Sequence, residues 1–260
     1  MQGVITLSSR RQNVLQALVN EYIESAHPVG SKTLASRYLV NVSSATIRNE
    51  LMWLEERGYI ISPHISAGRV PTNVGYRTFV NSLLLHPNVM PVRAHPVNRH
   101  SQQEVWRPVP IKTLGNEPVL EQQLLITETL VFLSEYVGCL AISWMPNSNP
   151  AVMHRGLATL MTQPEFRETT AALPLIQLLE SHGDLVATLK EVNDIPGLHI
   201  RIGTEHVDSQ LFAFSMVASR AMLDGSAGVV ALFGPTRMDY RKAISALSAI
   251  ITDWEKHEQR

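Results

Sequence analysis

The sequence predicts an α+β fold in two parts, three short helices with a small hairpin at the front and a mixed domain of helices and strands behind. Residues 9–60 alternate short amphipathic segments with serine and glycine boundaries. Residues 86–118 contain six prolines and little periodicity, and the remaining chain carries helical and strand-like runs. With 260 residues and 45% hydrophobic content, the chain can form at least two domains.

The first helix is predicted to begin after Ser8 or Ser9, either of which can cap it. It should end near Ala26, because Pro28 and Gly30 follow. Its apolar residues recur at i, i+3 and i+4 and form one stripe, made of Val14, Leu15, Leu18, Val19, Tyr22 and Ile23. This stripe predicts that one side of the helix is buried.

Ser31 is predicted to cap a short second helix, "KTLASRYL", and Ser43 or Ser44 a third helix that stops at Gly58. The third helix has a buried side at helical spacing, made of Ile47, Leu51 and Leu54. The run "YIIS" is predicted as a strand, "ISAGR" as a turn and "VPT" as the returning strand, and Thr72 begins a further helix. This is the order of a winged helix-turn-helix, whose third helix enters the DNA major groove.

Basic charge is concentrated in the front part of the chain. Residues 1–80 hold Lys32 and seven arginines against five glutamates, a net charge of +3, whereas the whole chain carries −1. This asymmetry favours a polyanionic partner for the front part. The single cysteine, Cys139, lies in the apolar run "GCLAISW". It is therefore predicted to be packed in the core of a protein from a reducing compartment.

The solvent side of the third helix is predicted to read double-stranded DNA through Ser44, Ala45, Arg48 and Asn49. Arg48 can pair bidentately with guanine and Asn49 with adenine. At the start of the second helix, phosphate can be bound by Ser31, Lys32 and Thr33. The wing offers His64, Ser66 and Arg69, and the arginine can reach phosphate or the minor groove. Each feature alone also fits a solvated helix face or an ordinary turn, so the prediction depends on their order and on the local charge.

The back part is predicted to be a compact α+β domain that opens with a long amphipathic helix over residues 119–137. Strands are predicted at "CLAISWM", "LHIRIG", "FAFSMVAS" and "AGVVALFG". Helical segments are predicted at "TQPEFRETTAALPLIQLLES", "LVATLKEV" and a closing "TRMDYRKAISALSAIITDWEKHEQ" capped by Thr236. The predicted domains are a winged helix at 1–85, a proline-rich linker at 86–118 and a regulatory and dimerisation domain at 119–260.

No catalytic, cofactor or metal site is predicted. The chain has no nucleophile elbow, GxGxxG motif or phosphate loop, which argues against an enzyme. His86, His95 and His100 lack a cysteine or carboxylate pair that would complete a ligand set. Arg237 and Asp239 are assigned structural or interdomain contacts. The absence of a signal peptide, and of any run of about 18 uncharged apolar residues, predicts a soluble cytoplasmic protein without membrane contacts.

The runs "RRQNVLQALVNEYIESAHPVGSKTLASRY", "NVSSATIRNELMWLEERGYI" and "HISAGRVPTNVGYRTFV" resemble the N-terminal domain of the heat-inducible transcription repressor family HrcA. "LATLMTQPEF", "IRIGTEH" and "ALFGPTRMDYRKAI" are similar to its C-terminal part. The resemblance implies a stress-response repressor that binds, as a homodimer, an inverted-repeat operator upstream of chaperone genes, with support from the GroE chaperonin. It also implies DNA contacts by Ser43, Ser44, Thr46, Arg48, Asn49, His64 and Arg69.

The sequence departs from the family pattern in the back part. Family members have a GAF-like domain interrupted by a dimerising insertion, whereas here only residues 145–152 separate the flanking runs. A truncated GAF-like domain is therefore expected, with dimerisation through the helix at 119–137 and exposed parts of that domain. Ile65 stands where the family has a small polar residue, and Trp53 is bulkier than usual. The alternative hypothesis is a ligand- or protein-sensing regulator in which the GAF-like domain carries the main function.

Overall fold

The computed structural model describes residues 7–64, 67–85 and 118–258. The chain divides into two compact units, Met1–Gln102 and Gln103–Arg260. The proline-rich segment predicted at 86–118 falls, except for Pro118, outside the described residues, as do Ile65 and Ser66. Among the described helices, none combines the length and the apolar character needed to cross a bilayer.

The first helix, α1, spans Ser9–Ser25 and begins at the predicted cap. The Ser8 hydroxyl accepts a hydrogen bond from the main-chain N–H of Arg11 at 3.5 Å, which satisfies one of the unpaired donors of the first turn. The helix ends at Ala26, which adopts the left-handed conformation with φ 55°. Both predicted ends of this helix are confirmed.

Two further helices, α2 (Ser31–Arg37) and α3 (Ser44–Glu56), pack against each other. The prediction that Ser31 caps α2 is wrong, because Gly30 occupies the cap position and Ser31 is the first helical residue. The predicted stop of α3 is confirmed, since Gly58 follows it with φ +75°, a conformation that glycine adopts without steric cost.

A small core holds the first unit together, as the periodicity predicts. On α3 the side chains of Ile47, Leu51 and Leu54 are at most 4% exposed. The buried apolar residues that α1 and α2 contribute are Val14, Leu15, Ala17, Leu18, Val19 and Leu34. Burying these apolar faces together fixes the position of α3 on α1 and leaves its opposite face to solvent.

The wing is a hairpin of β1 (Ile60–Ile61) and β2 (Val70–Pro71), followed by α4 (Asn73–Leu85). The two strands pair antiparallel, with Ile60 opposite Pro71. The predicted helix start is confirmed, because the Thr72 hydroxyl accepts a hydrogen bond from the main-chain N–H of Gly75 at 3.2 Å. The winged helix-turn-helix predicted for the front of the chain is therefore the fold of this unit.

In the described part of the second unit, five strands form one antiparallel sheet in the order β4-β3-β7-β6-β5. The strands are β3 (Leu140–Trp144), β4 (Val152–Arg155), β5 (Leu198–Ile202), β6 (Phe214–Leu223) and β7 (Ser226–Pro235). Each predicted strand is present. A turn over residues 145–151 joins β3 directly to β4, where the sequence analysis places the family's insertion, and Met145 N–H donates to the Ala151 carbonyl across it at 2.8 Å.

Helices cover both faces of this sheet. One face packs on α6 (Leu157–Met161), α7 (Leu173–Glu180) and α8 (His182–Asn193), with short 3-10 helices at Pro164–Phe166 and Thr169–Ala171. The other face carries α5 (Pro118–Val137) and α9 (Tyr240–Glu258). In the central strands β3, β6 and β7, alternate residues enter the two cores, as the pleat requires. The structure is thus a winged helix followed by an α+β domain.

The start of α9 differs from the prediction. Asp239, not Thr236, caps the helix, because its carboxylate accepts a hydrogen bond from the main-chain N–H of Lys242 at 3.1 Å. A carboxylate is favoured there by the positive end of the helix dipole. Thr236 instead offers its carbonyl to the Tyr240 hydroxyl at 2.7 Å, and that hydroxyl also contacts the Ser215 hydroxyl of β6 at 2.7 Å.

Candidate nucleic-acid interface

The N-terminus of α3 is built by Ser43. This residue is extended, with φ −65° and ψ 146°, and its hydroxyl accepts a hydrogen bond from the Thr46 main-chain N–H at 3.1 Å. The Thr46 hydroxyl lies 2.9 Å from the same oxygen. Both hydroxyls therefore hold the first turn of the helix, and this turn is at the protein surface.

Arg48 and Asn49 lie on the exposed side of the same helix, between the buried residues Ile47 and Leu51. Among the described residues, neither Arg48 nor Asn49 has a side-chain hydrogen bond or ion pair. Their donors and acceptors are thus available to an external partner. The hydrophobic pattern placed them on this side, and the structure agrees.

The start of α2 lies beside the start of α3. The Ser31 and Ser44 hydroxyls are 3.1 Å apart and link the two helix N-termini. Lys32 is exposed and Thr33 is half-buried. The structure therefore brings the predicted phosphate-binding residues of α2 next to the predicted reading surface of α3.

An ion pair that no sequence pattern predicts ties the wing to α3. Arg69 donates from Nε to Oε2 of Glu55 at 2.9 Å and from one terminal nitrogen to the Ala67 carbonyl at 3.4 Å. Its main chain pairs with Val29, with hydrogen bonds of 2.8 and 2.9 Å. Both the side chain and the main chain of Arg69 are thus hydrogen-bonded within the protein. The sequence shows only that Glu55 lies on the predicted third helix and Arg69 on the predicted wing, and it does not show that the two side chains meet.

A glycine permits this close approach of the wing. A Cβ atom on Gly68 would lie 2.6 Å from the main chain of Pro28 and Val29, a distance that backbone atoms cannot accommodate. His64, on the other side of the wing turn, is exposed. Ser66, the remaining predicted wing contact, lies outside the described residues.

A second unpredicted cluster lies between α1 and the C-terminal half of α3. Glu50 accepts a hydrogen bond from Arg11 at 3.0 Å and lies 3.9 Å from Arg10. The Arg11 guanidinium sits 3.8 Å from the centre of the Trp53 ring, and Arg57 sits 5.1 Å from it. These contacts explain how α3 accommodates a bulky residue at Trp53, because the ring serves as a cation–π platform.

Ion pairs within the first unit use part of the positive charge that the sequence shows in residues 1–80. Arg11 pairs with Glu50, Arg37 with the buried Glu21 at 2.6 Å, and Arg69 with Glu55. Lys32 and Arg48 make no such pair among the described residues. Two cations without a carboxylate partner thus lie near the joined starts of α2 and α3, where the helix N-termini add further donors for an anion. Arg57, at the other end of α3, also makes no ion pair among the described residues and contacts the Trp53 ring.

The remaining candidates have structural roles. Cys139 is 1% exposed, and burial raises the pKa of its thiol, so it is packed core as predicted. Arg237 donates to Glu165 at 2.6 and 3.1 Å and to Gln163 at 3.0 Å. In the described ranges, no group of three or more metal-ligating side chains occurs. His86, His95 and His100 lie outside those ranges.

Two family descriptions match the sequence. Residues 6–83 match the model described as "Winged helix-turn-helix transcription repressor, HrcA DNA-binding", and residues 111–244 match "HrcA protein C terminal domain". A solved structure described only as that of a hypothetical protein superimposes with a TM-score of 0.77 and 17% identity, over 96% of this chain and 98% of that one. At that identity the superposition shows a shared fold.

Curated relatives cover nearly the whole chain. The heat-inducible transcription repressor HrcA of Corynebacterium efficiens is 31% identical over 324 residues, covering 93% of this chain and 95% of the relative. The HrcA of Brevibacillus brevis is 29% identical over 326 residues, covering 93% and 95%. Both alignments are longer than this chain of 260 residues, so the relatives carry residues that it lacks.

Proposed function

This chain belongs to the HrcA family of heat-inducible transcription repressors, and from that premise we propose that it binds an inverted-repeat operator of chaperone genes as a homodimer. The family and the winged helix make it a DNA-binding, non-enzymatic regulator of the heat-shock type. The cytoplasm, where such operators are found, is its proposed location.

The single observation that carries the proposal is that two neighbouring residues of α3, Arg48 and Asn49, are exposed and have no side-chain partner among the described residues. Arg48 and Asn49 project from a helix whose other face is anchored in the core. Side chains on such a rigid element can be aimed at base edges with little further loss of conformational freedom. We assign base reading to these two residues.

Phosphate contacts are assigned to the surrounding hydroxyls and cations, which are Ser31, Lys32, Thr33, Ser43, Ser44 and Thr46. Contacts of this kind fix the register of the protein on the duplex and add affinity that depends on salt. The wing contributes His64, Ser66 and Arg69. Because Arg69 pairs with Glu55 in the protein alone, its proposed role is to hold the wing in place and to meet phosphate from that position.

The two-fold symmetry of an inverted repeat calls for two copies of the chain. We place the dimer contacts on α5 and nearby parts of the second unit, because Leu124 and Val131 of α5 are 37% and 36% exposed. The direct β3–β4 turn leaves no room for a dimerising insertion between those strands. Support by the GroE chaperonin is carried over from the family as part of the same proposal.

The test is a fluorescence-anisotropy titration of the full chain against a chaperone-operon inverted repeat and a scrambled duplex, over a salt series. Mass photometry of the bound species counts the protomers. We expect tight binding to the repeat by two protomers and a much weaker, steeply salt-dependent binding to the scrambled duplex. Equal affinity for both duplexes would contradict the proposal.

A further inference from the structure

The exposed residues of α3 form a single stripe along the helix. In chain order they are Ala45, Arg48, Asn49, Met52 and Glu56, separated by one to four positions that fall on one helical face. The buried residues of the same helix lie on its opposite side. Two members of the stripe, Ala45 and Met52, are apolar, so the surface assigned to base reading is not wholly polar.

Met52 lies near the centre of this stripe. An α-helix turns by about 100° per residue, so Met52 lies within about 20° of the direction of Ala45 around the helix axis. Arg48 and Asn49 lie roughly 60° and 40° from Ala45 in opposite directions. Met52 is 50% exposed. A long apolar side chain is therefore available to an external partner between the two residues assigned to base reading.

Arginines lie on both flanks of the stripe. On one flank Arg11 of α1 pairs with Glu50 at 3.0 Å, and on the other Arg69 of the wing pairs with Glu55 at 2.9 Å. The helical rotation places Glu50 and Glu55 about 140° and 80° from Ala45, in opposite directions. The two walls of a major groove are phosphate backbones, so a basic side chain on each flank suits a helix whose central stripe faces the base edges.

The base edges in the major groove present one apolar group, which is the C5-methyl of thymine. The other groups there are hydrogen-bond donors and acceptors, and a thioether, which is only a weak acceptor, is a poor partner for them. A methionine side chain has three rotatable bonds and a polarisable sulfur, so it adapts its shape to an apolar surface. The thymine methyl is therefore the groove feature that matches Met52.

We propose that Met52 contacts a thymine methyl group in each half-site of the operator and so specifies a T·A pair beside the bases read by Arg48 and Asn49. This inference rests on the proposed function, because it requires α3 to lie in the major groove. Met52 is about 6 Å along the helix axis from Arg48, so the thymine lies within about two base-pair steps of the base that Arg48 contacts. Burial of one methyl group raises affinity about fourfold.

The test is a fluorescence-anisotropy titration of the full chain against the chaperone-operon inverted repeat, with deoxyuridine in place of thymine at one symmetric pair of positions at a time. Deoxyuridine lacks the C5-methyl but keeps the hydrogen-bonding edge of thymine. We expect at least one symmetric pair to weaken binding by the wild-type chain about fifteenfold, which is about fourfold for each half-site. With Met52→Ala, the thymine and deoxyuridine forms of that pair should bind alike, because the methyl group has lost its partner.

Val74→Ala is the matched control, because Val74 is also an exposed apolar residue, at 56%, but lies on α4. This variant should respond to deoxyuridine as the wild type does. Both variants replace an exposed helical side chain by alanine, a strong helix former, so both should fold. The proposal would be overturned by equal responses of the wild type and Met52→Ala at every position, or by no response to deoxyuridine at any position. Equal binding of the unmodified repeat and a scrambled duplex would instead contradict the proposed function, and this inference with it.

Discussion

Arg69 of the wing and Glu55 of the recognition helix form an ion pair, with 2.9 Å between Nε and Oε2. Their side chains are 25% and 31% exposed, so the pair is partly shielded from solvent. It places a carboxylate close to the surface proposed to meet DNA. Glu55 therefore both positions Arg69 and opposes the phosphates, and these two effects can be separated by mutation.

Replacing Glu55 by Gln should strengthen binding to scrambled DNA about threefold, roughly 0.7 kcal/mol. The reason is that Arg69 is released toward phosphate while a repelling charge is lost. Anisotropy at several salt concentrations measures the change, and the salt slope should steepen by about one unit. The matched control is Glu56→Gln, which removes an exposed carboxylate without releasing an arginine. An equal gain in both variants would show that the pair has no special role.

Arg48 and Lys32 should differ in what they contribute to binding. Arg48→Ala should cost about 1–3 kcal/mol on the operator and much less on scrambled DNA, because a bidentate contact to a base is lost. Lys32→Ala should weaken both complexes similarly and flatten the salt slope by about one unit. The same anisotropy series measures both variants. Parallel losses on both duplexes for Arg48→Ala would remove its base-reading role.

Ser43→Ala should destabilise the first turn of α3, because the cap to Thr46 N–H is lost. The expected loss in the free energy of unfolding is about 1 kcal/mol. Ser43→Asn, which can still cap, should retain most of the stability. Urea unfolding followed by tryptophan fluorescence, to which Trp53 on the same helix contributes, reports the change. If Asn destabilises the chain as much as Ala, the hydroxyl does not act as a cap.

The stability of the second unit should fall as the pH drops below the ordinary pKa of histidine. Burial, followed by the nearby charge of Arg201, lowers the pKa of His206 to about 4 from the ordinary value of 6.5. The unfolded chain thus takes up a proton that the folded chain refuses, so stability is full above pH 6.5 and is lost between 6.5 and about 4. The loss should reach roughly 2–3 kcal/mol.

Denaturant unfolding across that pH range measures this loss, and an NMR titration of His206 measures the pKa directly. His206→Phe should flatten the pH dependence in the same range. A His206 ring that titrates near 6.5 in the folded chain would contradict the prediction.

Arg237→Met should destabilise the second unit by about 1–3 kcal/mol, because the carboxylate of Glu165 loses a partner that is 10% exposed. The effect is smaller than for a fully buried pair, since Glu165 is itself 31% exposed. Thermal unfolding compares this variant with the double replacement of Arg237 and Glu165 by Met. The double variant should recover part of the loss. A double variant with the summed losses of both single variants would argue against direct coupling.

Local patterns in the sequence predict the helices and strands well. The spacing of Val14, Leu15 and Leu18 is enough to define α1, since helix periodicity depends on near neighbours. The caps of α1 and α3, Ser8 and Ser43, are each one of the two adjacent serines between which the sequence does not decide. The predicted caps Ser31 of α2 and Thr236 of α9 are wrong, and the caps are Gly30 and Asp239. Near both helix starts several small or polar residues that can serve as a cap lie within a few positions, so the sequence does not fix which one does.

Contacts between distant residues could not be predicted in this way. The pairing of Glu55 with Arg69, and of Arg11 with Glu50 and Trp53, depends on how separate elements fold together. The sheet order places β3 beside β7, far along the chain.

Hydroxyl-radical footprinting of a chaperone-operon inverted repeat, with the wild-type chain and Arg48→Ala, tests the proposed operator recognition most directly. The expected result is two protected half-sites related by two-fold symmetry, lost with Arg48→Ala at a concentration that protects fully in the wild type. Protection of one half-site only, or protection that extends evenly over flanking DNA, would contradict sequence-specific binding by a dimer.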